Sequence, residues 1–239
     1  MWSFNSKISL EASGIFNGFT DWHSHILPGV DDGIPDMASA LQVLDFYEQL
    51  GISVVWLTPH VMEDIPNTTT VLQHRFEELL SAYKGSIRLN LAAEYMLDNG
   101  FEERMNHNDF LCIKSSFLND SADNLTLLIE TSYFTPPMDL YGTIERIQNK
   151  GYQPLLAHPE RYLYMGIDDY SPLMDMGVHF QCNITSLAGV YGKDARQKFL
   201  TFLSKGWIKV MGTDIHRLSS FSHIISRKCI NRKQRASLC

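Results

Sequence analysis

Residues 19–25 read FTDWHSH, a short, mostly apolar run that stops on two histidines, His23 and His25. The same arrangement recurs along the chain. Residues 54–57 lead to His60, residues 89–93 to Glu94, residues 125–129 to Glu130, residues 154–157 to His158, and residues 208–211 to Asp214 and His216. A seventh run, residues 178–182, ends on Asn183 instead. Short apolar runs bounded by turn residues read as strands buried on both faces. In a closed parallel β/α barrel all strand C-termini open at one face, and active sites are built there. The expectation is an α/β chain folded as a barrel of seven strands, with metal-binding side chains meeting at one mouth.

The segments between the runs have helical periodicity. In residues 36–50, Met37, Leu41, Leu44 and Tyr47 share one face, Asp36 is the expected N-cap after Pro35, and Gly51 ends the helix. Residues 68–83, 98–107, 140–150, 168–176 and 193–205 read as further helices. Several are closed by glycine, which is the rhythm of βα units joined by short loops. Residues 1–18 read as a leader or short hairpin with Gly14 and Gly18 as breakers. Residues 219–239 form an atypical basic tail (Arg227, Lys228, Arg232, Lys233, Arg235) in which no packed helix is placed. No repeat or linker divides the chain, so residues 1–239 read as one domain.

The 239 residues are 44% hydrophobic, enough for a full core, and the net charge of -7 argues against nucleic acid as a partner. The cysteines Cys112, Cys182, Cys229 and Cys239 lack zinc-knuckle spacing and suit a reduced compartment. No signal peptide or apolar stretch of spanning length is legible, so the expectation is a cytoplasmic protein with no stable membrane insertion. Homo-oligomerisation is left open.

One HxH pair is weak evidence for a metal. Repetition at equivalent strand ends is stronger. Glu94 and Glu130 each close an apolar run, where a carboxylate costs several kcal/mol unless it is paired or on a metal. Imidazole and carboxylate ligands without thiolate suit Zn, Mn or Fe, and the set is too large for one ion. His74, His107, His179 and His223 do not sit at strand ends and read as ordinary helix or surface histidines.

Six strings in fixed order then become specific: DWHSHILPGVDDG (21–33), TPH (58–60), AAEY (92–95), IETS (129–132), AHPERY (157–162) and GTDIH (212–216). Together they resemble the PHP (polymerase and histidinol phosphatase) superfamily over residues 19–217. Within it they are most similar to the bacterial tyrosine-protein phosphatases that regulate capsular and exopolysaccharide synthesis. The resemblance implies a distorted (βα)7 TIM-like barrel, the PHP fold, and three divalent metal ions, manganese, iron or zinc. His23, His25, Glu94 and Asp214 would hold the first. Glu94 would bridge to a second on Glu130 and His158, and Asp32, His60 and His216 would hold the third. The implied substrate is a phosphotyrosine protein, a membrane-associated tyrosine kinase of polysaccharide export.

Arg161, three residues after His158, would clamp phosphate with its guanidinium, and either His216 or a metal-bound water would supply a proton. Tyr133 and Tyr162, with Tyr95, Phe134 and Tyr164, would wall the phenyl ring. One departure stands out: the family carries a second arginine a few residues beyond the DxH, where this chain has Phe221, with Arg217 nearby. Two alternatives remain. One is a small-molecule PHP phosphatase such as histidinol-phosphate phosphatase, and the other a non-catalytic or nuclease PHP module. Cys229 and Arg235 match the C-x5-R spacing of cysteine-dependent tyrosine phosphatases, but no glycine lies between them, so the match is expected to be inert.

Overall fold

Each of the seven apolar runs is extended in the computed structural model, which describes residues 7–118 and 125–238. Residues 1–6 of the leader, residues 119–124 and Cys239 lie outside the described residues. The strands are β1 (Ile8–Ser9), β2 (Thr20–Ser24), β3 (Val54–Leu57), β4 (His60–Val61), β5 (Arg88–Leu91), β6 (Glu94–Met96), β7 (Leu125–Glu130), β8 (Tyr152–Ala157), β9 (His179–Asn183), β10 (Ile208–Gly212) and β11 (Lys228–Ile230). β4 and β6 continue β3 and β5 after a break of two residues.

Parallel ladders run β2–β3–β5 and β10–β9–β8–β7–β6–β4. On one side the chain itself joins the two sheets, as β3 runs on into β4 and β5 into β6, and backbone hydrogen bonds carry the ladders across those breaks. Thr58 donates to the Ser24 carbonyl at 2.8 Å, Ala92 to Leu57 at 2.9 Å and Glu94 to Pro59 at 3.0 Å. Across the other seam Asp214 donates to His23 at 2.8 Å and His25 to Ile215 at 3.2 Å. The ring closes at its upper end, and the bends after β3 and β5 are where it distorts. Below the bend of β5, the segment through Ile113 fills the gap by bridging antiparallel to Thr126 on β7.

The helices are α1 (Met37–Leu50), α2 (Thr69–Ala82), α3 (Asn99–His107), α4 (Leu140–Asn149), α5 (Tyr170–Asp175), α6 (Gly192–Lys205), α7 (Leu218–Ser226) and α8 (Arg232–Ala236). Asp36 caps α1 as expected, accepting from the Ser39 N–H at 2.8 Å. The buried stripe of α1 is Ala40, Val43, Leu44 and Tyr47. It is therefore rotated from the expected face: Met37 and Leu41 lie at its margin, half-buried.

Alternation along the strands divides the core. Leu127, Ile129 and Leu156 face the surrounding helices. Leu128, Leu155, Ala157 and Val210 form a separate interior cluster with Trp22 and Trp56. The two indoles stack at 6.1 Å and 9°. Further along the same strands the inward residues become Glu130, His158 and Asp214, so the barrel has an apolar floor and a polar upper half.

The described residues near both ends pack, where the sequence suggested a leader or short hairpin and a tail with no placed helix. β1 pairs antiparallel with β11. The helices α7 and α8 flank β11 in the chain, and Ile230 and Ile225 are fully buried. The basic side chains hid the pattern, because the apolar residues there are too sparse for a periodicity reading. Ile230→Ala is expected to lower unfolding free energy by about 2–4 kcal/mol in urea titration. A loss below about 0.5 kcal/mol would mean the clasp is not part of the cooperative unit.

Candidate active site

The nine expected metal-binding residues meet at the upper mouth of the barrel. β2 delivers His23, and the segment that follows it delivers His25 and Asp32. His60 opens β4, Glu94 opens β6 and Glu130 ends β7. His158 follows β8, and Asp214 and His216 follow β10. Three groups have donor atoms within 4.8 Å of one another: His25, Asp32, His60 and His216; His23, His25 and Glu94; and His60, Glu94 and Glu130. Glu94 is the hub. Its Oε2 lies 3.1 Å from His23 Nε2, 3.4 Å from His25 Nε2 and 3.0 Å from His60 Nδ1. Its Oε1 lies 2.9 Å from His158 Nε2.

Two of these groups overlap the allocation that the resemblance implies: His23, His25 and Glu94 stand together, and so do Asp32, His60 and His216. The difference lies in the shared members. His60 closes the triad with Glu94 and Glu130, and His25 joins Asp32 and His216. His158 sits behind the triad, 3.8 Å from Glu130 Oε2.

Divalent ions fit these residues. His60 Nδ1, Glu94 Oε2 and Glu130 Oε1 are buried and make no hydrogen bond. Yet the histidine nitrogen lies 3.0 Å from each of the two oxygens. Leaving a buried polar atom unsatisfied costs about 1–3 kcal/mol. One cation satisfies all three, and the imidazole and carboxylate donor set suits a borderline metal. Burial alone would raise the Glu94 carboxyl, but His23, His60 and the bond from His158 outweigh it and hold it well below the usual range. Asp32 is brought down to about 2, mainly by its bond from His216.

Local backbone geometry is specialised at two of these positions. His158 has φ +33° and Asp214 φ +53°, a left-handed conformation that costs a non-glycine residue about 1–3 kcal/mol. The His158 N–H is held by Gln181 Oε1 at 3.2 Å, and the Asp214 N–H by the His23 carbonyl at 2.8 Å. Gly212 and Gly33 allow the close packing around His23 and His25. A Cβ on Gly212 would overlap His23, and one on Gly33 would overlap the His25 backbone.

Several site residues were not legible as such. Asp31, the neighbour of Asp32, accepts from His25 Nδ1 at 2.8 Å and from the His60 N–H at 3.0 Å. Only the doubled aspartate of DDG hinted at it. Asp21 accepts from the Thr213 N–H at 2.8 Å, the Thr213 hydroxyl at 2.7 Å and the Tyr47 hydroxyl at 3.0 Å. These bonds tie β2 to the GTDIH loop. Gln181 and Asn183 point into the polar half from β9, the strand whose end carries no ligand.

Arg161 faces a cavity of about 570 Å³ lined also by Asp32, His60, Glu130, Tyr133 and His216. Its guanidinium is centred 4.2 Å from the Tyr133 ring and 4.2 Å from the Tyr191 ring. Its Nη1 donates to Asp214 Oδ2 at 2.7 Å. Tyr191 carries no sequence signal, because it lies beyond β9 in a stretch with no metal-binding residue.

Tyr162 does not fit the wall proposed for it. It is fully buried, and its hydroxyl donates to the Ala157 carbonyl at 2.9 Å. Tyr95 is likewise buried, and Phe134 points to solvent. Phe221 packs edge-on against Phe16 and beside Tyr47. Arg217 lines the cavity, but its Nη1 is committed to the carbonyls of Asp32 and Gly33, both at 2.6 Å.

Cys229 lies buried on β11, and burial pushes its thiol above the ordinary value. A short helix does follow it, but Asn231 and Gln234 cap each other's N–H groups at 2.9 and 3.0 Å, which removes the anion cradle. Cys229→Ser is expected to leave phosphotyrosine turnover within about twofold. Loss of turnover with unchanged metal content would point to thiolate chemistry instead.

Comparison with known proteins places this geometry. The family model described as capsular polysaccharide synthesis, CpsB/CapC, matches residues 19–235. The chain belongs to the CpsB/CapC family. Tyrosine-protein phosphatase YwqE of Bacillus subtilis is 25% identical over 206 residues, covering 84% of this chain and 78% of that protein. Tyrosine-protein phosphatase CpsB of Streptococcus pneumoniae is 24% identical over 219 residues, covering 84% of each chain. A crystal structure from work on YwqE and CpsB, described as unique metal-dependent tyrosine phosphatases, superposes with TM-score 0.74 at 24% identity. It covers 85% of this chain and 81% of its own. The lactonase Lmo2620 of Listeria monocytogenes shares the fold at TM-score 0.52 and 10% identity, over 94% of this chain and 86% of its own. The CpsB/CapC chain described here therefore has the PHP-type barrel. No helix among its described residues is long and apolar enough to cross a membrane.

Proposed function

We propose that this CpsB/CapC chain is a metal-dependent protein-tyrosine phosphatase, acting on a tyrosine kinase that controls capsular or exopolysaccharide synthesis. One observation carries the reading: His60 and Glu130, whose orphaned donor atoms meet that of Glu94, line the same cavity as Arg161. Metal ligands and a phosphate clamp meet there. The activity named for YwqE and CpsB supports it. Three donor groups suit up to three divalent ions, manganese, iron or zinc. When bound, such ions neutralise phosphoryl charge and lower the pKa of water from about 15.7 toward 7.

The chain's own residues have separate tasks. Arg161 offers two parallel N–H groups to phosphoryl oxygens, and the flanking Tyr133 and Tyr191 rings hold its plane. Tyr133 and Tyr191 also supply an apolar edge for the phenyl ring. His216 Nδ1 donates to the Asp214 carbonyl at 3.0 Å, which leaves Nε2 turned toward Asp32 at 3.4 Å. In the neutral ring Nε2 is a ligand atom, and in the imidazolium it is a proton donor. The phenolic leaving group has a conjugate-acid pKa near 10, so it needs less protonation than an alkyl oxygen does.

The test is a substrate panel on metal-loaded protein. Phosphotyrosine peptides are expected to turn over at least about tenfold faster, by kcat/KM, than histidinol phosphate. The reverse order would assign the chain to the small-molecule phosphatases. No turnover of either, with metal bound, would make it a non-catalytic PHP module.

A further inference from the structure

We propose that Gln181 and Asn183 form a polarised amide relay that sets His23 and Asp214 in their metal-ready states. This rests on the metal-site reading above. β9 is the strand whose end offers no ligand, yet both side chains are fully buried in the polar half of the barrel. Gln181 Oε1 lies 2.8 Å from His23 Nδ1 and 3.2 Å from the His158 backbone nitrogen. Gln181 Nε2 lies 3.0 Å from Asn183 Oδ1. Asn183 Nδ2 lies 2.6 Å from Asp214 Oδ2.

Each amide has one workable orientation, which follows from donor and acceptor chemistry. The His158 N–H can only donate, so the Gln181 atom facing it is the oxygen. Gln181 Nε2 then faces Asn183 and requires an acceptor there, which fixes Asn183 Oδ1. The remaining Asn183 Nδ2 faces a carboxylate, which can only accept. The chain of constraints starts at one backbone N–H and ends at Asp214 without a free choice.

Two consequences reach the site. Gln181 Oε1 accepts at His23, so Nδ1 carries the proton and the lone pair of the neutral ring lies at Nε2. That atom is the one turned to Glu94 at 3.1 Å. At Asp214, Oδ2 is occupied by Asn183 and Arg161, which leaves Oδ1 facing His25 Nε2 at 3.3 Å. The relay also holds the N–H of His158 in its left-handed conformation. His25 is polarised differently, by the Asp31 carboxylate. An amide at position 181 does the same for His23 without adding a buried negative charge beside Glu94 and Asp214, and it can donate onward, which a carboxylate cannot.

The experiment uses the full chain and zinc as the probe. Zinc affinity is measured by chelator competition for the wild type, Gln181→Leu, Gln181→Glu and Asn183→Asp. Urea midpoints are taken without metal, and histidine 15N spectra are recorded on the zinc-loaded protein. The relay predicts that Gln181→Leu and Asn183→Asp weaken zinc binding about 10- to 100-fold. It predicts that Gln181→Glu, which keeps the acceptor for His23, recovers part of that loss. The wild-type spectrum should show His23 protonated at Nδ1 and coordinated through Nε2. Should Gln181→Leu fail to fold, the near-isosteric Gln181→Glu and Asn183→Asp decide the question alone. Wild-type zinc affinity in well-folded Asn183→Asp and Gln181→Glu, or His23 bound through Nδ1, would overturn the relay and leave the metal site standing. Absence of zinc binding in the wild type would overturn both.

Discussion

Glu94→Gln is expected to lower kcat/KM for phosphotyrosine peptides by about 10³-fold or more. Glu94 is fully buried and its two oxygens lie within 3.4 Å of four imidazoles. No other carboxylate of the cluster is shared by two of the three-residue donor groups. The amide keeps the volume but removes the charge and one acceptor, so two ion positions lose a ligand together. The fold should survive, because the amide is isosteric with the carboxylate and its oxygen still accepts a hydrogen bond. Steady-state kinetics at saturating manganese, with a urea midpoint on the same sample, checks both statements. A loss under about tenfold in a folded, metal-saturated variant would remove Glu94 from the catalytic set.

Arg161→Ala should cost about 2–4 kcal/mol in kcat/KM, with KM rising as well. The guanidinium sits between two aromatic rings at 4.2 Å each and is bonded to Asp214, so its position is fixed before substrate arrives. Preorganisation of this kind favours use of the binding energy in the reaction. Arg161→Lys should recover only part of the loss, since an ammonium offers no planar fork and stacks poorly between rings. The measurement is KM and kcat for one phosphotyrosine peptide across wild type, Arg161→Ala and Arg161→Lys. Unchanged kcat/KM in a folded Arg161→Ala variant would reduce the residue to a structural partner of Asp214.

The barrel was legible because its strands are buried on both faces and end on residues that a core does not tolerate. Val54–Leu57 and His60, or Leu125–Glu130, make that point locally, without reference to the rest of the chain. Helix bounds followed from caps such as Asp36 and from terminal glycines. The clasp of β1 with β11 was not legible, because two short strands more than two hundred residues apart leave no periodic trace.

Within the site, the His, Asp and Glu positions carried their own signal, as ionisable groups at strand ends. The partners that aim them did not. Asn183 registered only as an exception to the pattern, and Gln181 is an ordinary polar residue until its neighbours are in place. Tyr162 misled for the opposite reason. It follows a ligand-bearing loop in sequence, yet its ring turns into the core and its hydroxyl bonds to Ala157. Sequence proximity to a ligand fixes where a backbone passes, not which way a side chain turns.

Metal content and phosphotyrosine turnover, measured on one preparation during stepwise removal and return of manganese, test the central claim most directly. Turnover is expected to fall to background as bound metal approaches zero, and to recover in proportion to the ions regained. Undiminished turnover in protein shown to be free of metal would contradict the account.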